Sequence, residues 1–423
     1  MKIAILTDTP PVMLGNKGEY NGRGWIDSFI IRLAASNEVD KIYVIYNSRV
    51  KQAVQMNGKI THIPIKNVLT FDHKIFNVAP RLLGIWESKK NIEHLNDAIA
   101  DLNADIIHVF GSEWYGIELL KSGYKNILVH IQGLASYWYL KYYPKQYLNR
   151  YSKLKLFTRS ARKPKALIWG ISYLHQNKAL KIAAKREDKW LCQSTYCAGR
   201  TAFDKAYLKK INPKIEYFHI NEILREPFYN SEKWIYNPKE NLLRISSVIS
   251  DRVYKGYDLI LDIAEQLDKQ ITFNIEWRII GLTPTSECVN LFKKQTKLSK
   301  VKIILEGILN EDKIIDTLLS SDIYLHPSHI ENSSNSICEA QILGVPVIAN
   351  NNGGTGSLIE SGETGILFSD INAIANTISE LKSNKSLLLK LSQKGREAAM
   401  LRHNIDQIIK DTIAAYKSIL SKI

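Results

Sequence analysis

The sequence predicts two doubly wound α/β domains, and three observations predict them. The chain has 423 residues, and at about 100–200 residues per domain that length suits two cores. Short β-branched apolar runs alternate with helical patterns along its whole length, the signal for parallel sheets layered with helices. A polar, proline-containing stretch from Asn221 to Asn241 divides two such series and reads as an interdomain linker.

Strands are expected in the first half at Lys2–Thr7, Lys41–Tyr46, Asp105–Phe110, Asn126–Ile131 and Lys189–Cys192, with helices between them, for example around Trp25–Ala35 and Ile92–Leu102. The second series places strands at Leu242–Val248, Asn274–Ile280, Val301–Leu305, Ile323–His326 and Val345–Ala349. Domain ranges of 1–222 and 223–402 follow. At the end of the chain Ile405, Ile408, Ile409, Ile413, Tyr416 and Leu420 recur at helical spacing, so 403–423 is expected to be an amphipathic helix packed back on the first domain. Segment 137–187 breaks the rhythm and reads as inserted surface helices.

Composition excludes several classes. With 45% hydrophobic and 23% charged residues the chain is an ordinary globular protein rather than a disordered one. The apolar run after Met1 is too short for a signal-peptide core, and no stretch approaches the ~18 apolar residues of a membrane span. A cytoplasmic protein is expected. Cys192, Cys197, Cys288 and Cys338 form no C-x-x-C pair and no metal-ligand spacing with histidine, so neither a disulfide framework nor a zinc site is expected.

Charge is unevenly placed. The formal net charge is +15, and residues 1–200 hold 30 basic and 15 acidic side chains against 27 of each in 201–423. No acidic residue lies between Glu118 and Glu187, where basic residues are interleaved with aromatics such as Tyr137, Trp138, Tyr142, Tyr147 and Trp169. Three readings of 119–186 stand open: a solvated basic face, a surface for the anionic inner leaflet of a membrane, and a nucleic-acid surface. The last rests on charge alone, since no nucleic-acid-binding motif accompanies it, and a nucleic-acid partner is not expected.

In parallel sheets ligands bind at the carboxyl ends of strands. After the first strand a Gly-rich loop, Gly15 to Gly24, runs into a helix, and its backbone at Gly22 and Gly24 is a candidate anion site. It contains neither G-x-G-x-x-G nor a Walker Gly-Lys-Ser/Thr. In the second half the strand ending at His326 leads through Pro327-Ser328 to Glu331-Asn332-Ser333-Ser334-Asn335-Ser336-Ile337-Cys338-Glu339. Its Asn and Ser residues favour a helix start near Ser333–Asn335, leaving unpaired N–H groups where a diphosphate could bind, bracketed by Glu331 and Glu339. The competing reading makes Glu331 a helix cap and Glu339 a solvated side chain.

The run from Asp322 to Gly365, with Pro327-Ser328, Glu331, Glu339-Ala340, Gly344-Val345-Pro346, Gly353-Gly354 and Gly362-x-Thr364-Gly365, resembles the E-x7-E region of family 4 glycosyltransferases. The likeness extends to Val248–Gly256, Trp277–Gly281, Leu305–Gly307 and Asp105–Gly111. The resemblance implies a GT-B fold, two Rossmann-like domains facing across a cleft, with a nucleotide-diphosphate sugar bound mainly by the C-terminal domain and the acceptor by the N-terminal one.

It further implies that Glu331 acts at the donor sugar and Glu339 bonds the ribose hydroxyls. The backbone at Asn335, Ser336 and Ile337, together with Lys255, would hold the diphosphate; Gly22 and Gly24 of the Gly-rich loop stand beside them as donor-binding candidates read from the loop itself. Two departures are visible. The family arginine five residues before the lysine is Ser250 here, with Arg252 as a nearby substitute, and the family histidine after the Asn126–Ile131 strand is Gln132, which cannot act as a base. His130, two residues earlier on the same strand face, reads as a core residue. Glu113, Trp114 and Gln132 are the candidate acceptor-binding residues. No Asp-x-Asp is present, so neither a divalent metal nor any other cofactor is expected.

The function expected is a metal-independent retaining glycosyltransferase. It would move a hexose from a nucleotide-diphosphate sugar to a glycan or lipid-linked acceptor in bacterial surface polysaccharide assembly, peripheral at the inner face of the membrane. The alternative is a catalytically silent GT-B subunit that binds a partner glycosyltransferase or a glycan.

Overall fold

The computed structural model describes residues 1–8, 24–48, 52–66, 90–143, 173–292 and 297–423. Among these the chain forms two compact units. The first comprises the residues up to Leu140, those from Tyr173 to Ile223, and His403–Ile423; the second comprises Lys141–Tyr143 and Leu224–Arg402. Gly22 and most of the basic segment, residues 144–172, lie outside the described residues. Of that segment Lys141–Tyr143 group with the second unit rather than the first, and Tyr142 is fully buried.

In the first unit, strands β1 (Lys2–Thr7), β2 (Lys41–Ser48), β3 (Gln55–Asn57), β4 (Ile60–Lys66), β5 (Ile106–Phe110), β6 (Ile127–His130), β7 (Tyr196–Gly199) and β8 (Glu216–His219) lie in the order β3-β4-β2-β1-β5-β6-β7-β8. All pairs are parallel except the β3–β4 hairpin. Helices α1 (Gly24–Ala34), α2 (Lys90–Ala100), α3 (Ala135–Leu140), α4 (Tyr173–Leu191) and α5 (Ala202–Ile211) connect them. Strand alternation builds two cores. Ile3, Ile5 and Ile106 face Phe29 and Leu33 of α1 on one side, while Ala4, Leu6 and Ile107 face Leu95 and Ile99 of α2 on the other.

The strand expected at Lys189–Cys192 is instead the last turn of α4, and β7 begins at Tyr196. Ala183, Ala184, Glu187, Trp190 and Leu191 are the buried positions there, a helical spacing that carries Trp190 and Leu191 into the core. Strands β4 and β8 were not foreseen, because Ile60–Lys66 contains His62 and Pro64 and Glu216–His219 is a short, half-exposed edge.

The second unit opens with α6 (Glu226–Asn230), followed by β9 (Leu242–Val248), α7 (Tyr257–Gln270), β10 (Asn274–Ile280), α8 (Glu287–Phe292), β11 (Val301–Gly307), α9 (Glu311–Leu319), β12 (Ile323–His326), α10 (Asn335–Leu343), β13 (Val347–Asn350), β14 (Ile366–Phe368), α11 (Ile371–Ser383) and α12 (Lys385–Arg402). The strand order is β11-β10-β9-β12-β13-β14, all parallel. Asn221–Asn241 is no free linker: Phe228 and Trp234 are buried in this unit's core, and the Trp234 indole N–H donates to the Ser321 carbonyl at 2.7 Å.

The last helix, α13 (Ile405–Leu420), belongs to the first unit, where Ile408, Ile413, Tyr416 and Ile419 join the α1 side of the core. Among the described residues no helix is long and apolar enough to cross a membrane.

Candidate functional site

Each sheet reverses its strand order once. In the second unit the reversal falls between β9 and β12, so the loops leaving the carboxyl ends of these two strands diverge and open a crevice, the place where open α/β sheets bind ligands. The β9 loop carries Arg252 and Lys255, and the β12 loop carries Glu331. Two glycines, Gly256 after β9 and Gly353 after β13, let their loops approach the β12 loop closely. Gly256 has φ +81°, and a Cβ there would lie 2.4 Å from the Pro327 carbonyl oxygen. Gly353 has φ +59°, and its Cβ would lie 2.0 Å from the Glu331 carbonyl oxygen, which also accepts the Gly354 N–H at 2.9 Å. A side chain at either position would strain the backbone as well as collide.

Glu331 is held from two directions on one oxygen. Its Oε1 accepts from Lys255 Nζ at 2.6 Å and from His326 Nε2 at 3.2 Å, while Oε2 has no protein partner among the described residues. Burial alone would push the Glu331 carboxyl up, but the Lys255 ammonium and the His326 hydrogen bond outweigh it and hold the group far below the usual carboxylate range. Burial likewise works against the Lys255 charge, and the Glu331 carboxylate reverses this and raises it. Both groups are therefore ionised at neutral pH. The tautomer that donates to Glu331 carries its proton on Nε2, leaving Nδ1 beside the Tyr324 hydroxyl at 3.2 Å. Tyr324 and His326 alternate onto the same face of β12, and the Tyr324 hydroxyl donates to Ser336 Oγ at 2.8 Å. Lys255, Glu331, His326, Tyr324 and Ser336 thus form one connected network in the second unit.

Ser334 is the N-cap of α10, as the sequence predicts to within a residue, and makes no side-chain cap bond. The N–H groups of Asn335 and Ser336 have no partner among the described residues, whereas the Ile337 N–H is taken by the Ser334 carbonyl at 3.1 Å. The anion site expected over Asn335–Ile337 is thereby narrowed by one donor. The helix still directs its positive end at that spot.

Glu339, one turn further on, is buried and not solvated. Arg225 grips it with a two-bonded fork, Nε to Oε1 at 2.7 Å and Nη2 to Oε2 at 2.8 Å. Neither Arg225 nor His326 was singled out from the sequence. The pattern offered a faint signal for each: an arginine beside the apolar anchor Phe228, and a histidine as the last residue of a buried strand. Arg252 is exposed in the turn that ends at Lys255, and Ser250 is exposed two residues before it.

In the first unit the strand order reverses between β1 and β5. Gly24 opens α1 behind the β1 loop and is half-buried. Trp114, expected to face an acceptor, is instead a core residue, 3% exposed, with its indole N–H donating to the Phe110 carbonyl at 2.8 Å. Glu113 is half-buried, and its backbone carbonyl accepts from Arg186 Nη2 at 2.8 Å. The Gln132 carbonyl accepts from Arg200 Nη2 at 3.1 Å, and its side-chain Nε2 is enclosed without a hydrogen-bond partner among the described residues. Gln132 thus keeps unused hydrogen-bonding capacity at Nε2. His130 is fully buried, in keeping with its reading as a core residue.

Two doubly wound, mostly parallel sheets with helices match the GT-B fold of solved structures. The chain is similar in structure to sucrose-phosphate synthase from Thermosynechococcus elongatus, with a TM-score of 0.69 and 14% identity over 100% of both chains. Residues 229–398 match the family model described as Glycosyl transferases group 1, and fold and family match together support the glycosyltransferase group 1 superfamily. Among curated relatives, the chain is 25% identical over 295 residues to a 2-deoxystreptamine N-acetyl-D-glucosaminyltransferase of Niallia circulans, covering 67% of this chain and 74% of that one. It is also 25% identical over 152 residues to the capsular polysaccharide biosynthesis glycosyltransferase CapM of Staphylococcus aureus, covering 36% of this chain and 40% of that one.

Proposed function

We propose that the protein is a retaining glycosyltransferase that moves a hexose from a nucleotide-diphosphate sugar to a glycan or lipid-linked acceptor in surface polysaccharide assembly. The observation that carries this reading is the pairing at the switch point. Two buried carboxylates bracket the N-terminus of α10, and each is held by its own cation, Lys255 for Glu331 and Arg225 for Glu339. A diphosphate seated on the Asn335 and Ser336 N–H groups would have Lys255 beside it, placing positive charge where the leaving group becomes negative. Lys255, Arg252 and the helix dipole supply that charge from the chain itself, so transfer is proposed to need no divalent metal. With Gln132 in place of a base, the departing phosphate oxygen is proposed to take the acceptor proton on the face the sugar leaves. The similarity to a capsular polysaccharide biosynthesis glycosyltransferase supports the surface-polysaccharide setting.

The test is a thermal-shift and hydrolysis panel of UDP-, GDP- and ADP-sugars against the wild type and Glu339→Ala. One nucleotide class should raise the melting temperature of the wild type, and the shift should vanish in the variant. Well-folded wild type that responds to none of them favours the silent subunit, to which Ser250 and Gln132 already lend support.

The inner membrane face is proposed as the workplace. Lys178, Lys181, Lys185 and Lys189 are exposed along one face of α4 together with Ile182, and Leu140 at the end of α3 is 67% exposed. Near an anionic leaflet each such lysine contributes about 1 kcal/mol. The protein should co-sediment with phosphatidylglycerol vesicles and not with phosphatidylcholine ones. Changing Lys178, Lys181 and Lys185 to Glu should abolish that binding; retention by the triple variant, or binding to RNA in preference to vesicles, would remove the proposal.

A further inference from the structure

We infer that His326 is a positioning residue, the hold that keeps the Glu331 carboxylate aimed at the donor sugar once a diphosphate draws on Lys255, an inference that rests on the donor-site reading above. Glu331 sits in the loop between β12 and α10, where no regular hydrogen-bond ladder fixes the direction of its side chain. Two donors do so, and both act on Oε1: Lys255 Nζ at 2.6 Å and His326 Nε2 at 3.2 Å. They differ in what else they can reach. The Lys255 side chain is 23% exposed and ends in a flexible ammonium with three donors, free to turn towards a phosphate. The His326 side chain is 2% exposed, and its ring has no room to follow an arriving ligand.

The ring is fixed from two sides. The His326 backbone closes β12 in register with Ala349 of β13, and its Nδ1 lies 3.2 Å from the Tyr324 hydroxyl. Tyr324, fully buried two residues back on the same strand face, is itself bonded to Ser336 Oγ at 2.8 Å. Ser336 stands in the first turn of α10, where the diphosphate is proposed to sit. One rigid strand thus fixes both parts of the site, the carboxylate through His326 and the diphosphate seat through Tyr324. When Lys255 is shared between Glu331 and a phosphate, its bond to Oε1 weakens, and the His326 bond is what remains to keep that oxygen in place. With Oε1 kept, the direction in which Oε2 meets the sugar is kept as well.

Two amides of different reach separate positioning from structural support. Both His326→Asn and His326→Gln replace the ring, but only the glutamine amide reaches the place of Nε2, whereas the asparagine amide stops near that of Nδ1. The experiment measures steady-state hydrolysis of UDP-, GDP- and ADP-sugars, and the affinity of UDP, GDP and ADP, for wild type, His326→Asn, His326→Gln, Glu331→Gln and the double variant of His326→Asn with Glu331→Gln. With the donor that the wild type hydrolyses, His326→Asn should lower kcat about tenfold, the loss of one hydrogen bond to a charged group, with donor KM and nucleoside diphosphate affinity within about threefold. His326→Gln should recover kcat to within about threefold of wild type. In the Glu331→Gln background the charge to be aimed is gone, and His326→Asn should cost less than about twofold more. An equal cost in both backgrounds, affinity that falls along with kcat, or glutamine no better than asparagine means structural support and overturns the inference. Should neither amide fold, Tyr324→Phe, which loosens the ring at Nδ1 without replacing it, should lower kcat about threefold at unchanged affinity, and unchanged kcat there overturns the inference too. Loss of turnover in Glu331→Gln with none in His326→Asn removes this inference alone. If Glu331→Gln is as active as wild type, or if wild type hydrolyses none of the donors, the donor-site reading falls and takes it along.

Discussion

Glutamine at position 331 should lower donor-dependent transfer by at least about 100-fold, the usual effect of removing one preorganised charge from a polar active site, while leaving nucleoside diphosphate affinity within about threefold. The separation follows from how Glu331 is held. Oε1 is committed to Lys255 and His326, so the glutamine carbonyl takes that place and keeps both donors. Its amide nitrogen then occupies the position of Oε2 and offers a hydrogen where the carboxylate offered a lone pair. A sugar hydroxyl that donates to Oε2 in wild type meets a donor instead, and the negative charge that supports a developing positive sugar centre is gone. The ribose and diphosphate contacts proposed for Glu339 and the α10 N-terminus are untouched. The measurement is steady-state turnover beside nucleotide affinity for both proteins. Transfer unchanged by Glu331→Gln would remove Glu331 from the chemistry, and a wild type with no turnover to lose would point to the silent subunit.

The parts of this site legible in the sequence are those fixed by local rules. The helix start near Ser334 and the two glutamates flanking it follow from capping preference and spacing, and the β9 and β12 strands from apolar runs. What escaped depends on contacts between residues far apart in the chain. Arg225 lies 114 positions from Glu339, in a stretch whose polarity and prolines read as linker, so nothing local marked its charge as buried. His326 looked like the end of a strand until its partner Glu331 was placed by the turn between them. The error at Lys189–Cys192 has the same origin: a short apolar run suits strand or helix alike, and only the core contacts of Trp190 and Leu191 decide. In the opposite direction Trp114, an aromatic after a strand end, invited a binding role until its indole was found inside the core.

Acid should weaken the first unit, and His130→Phe should reduce that loss between about pH 6.5 and 4.5. His108 and His130 are fully buried and stacked with ring centres 5.3 Å apart. They are joined Nε2 to Nδ1 at 3.2 Å, and His108 Nδ1 meets the Tyr416 hydroxyl at 2.7 Å. Burial lowers His108 from its ordinary 6.5 to about 3. It also lowers His130 well below that ordinary value, with the His108 and Arg200 charges adding to the effect. Below about pH 6.5 the unfolded chain takes up protons that the folded one refuses, so each histidine lowers stability as the pH falls, by at most about 1.4 kcal/mol per pH unit.

Glu187 works the other way. Burial, only partly offset by hydrogen bonds from Ser112, Ser136 and Ala135, pushes it from 4.5 up to about 7. As the pH falls from 7 to 4.5 the folded state takes up a proton that the unfolded state does not, which contributes stability with the same slope and opposite sign. His62, buried in β4 and also lowered by burial, acts with the two stacked histidines, so three histidines oppose one glutamate and the balance is a loss of stability on acidification. With His130 replaced by Phe, His108 and His62 remain against Glu187, so the acid loss is smaller than in the wild type. Below 4.5 the Glu187 contribution is complete, and both proteins should lose stability more steeply. Urea denaturation of both proteins at pH 7, 5.5 and 4.5 tests this, and parallel stability curves for wild type and variant would show that the buried histidine pair does not set the acid limit.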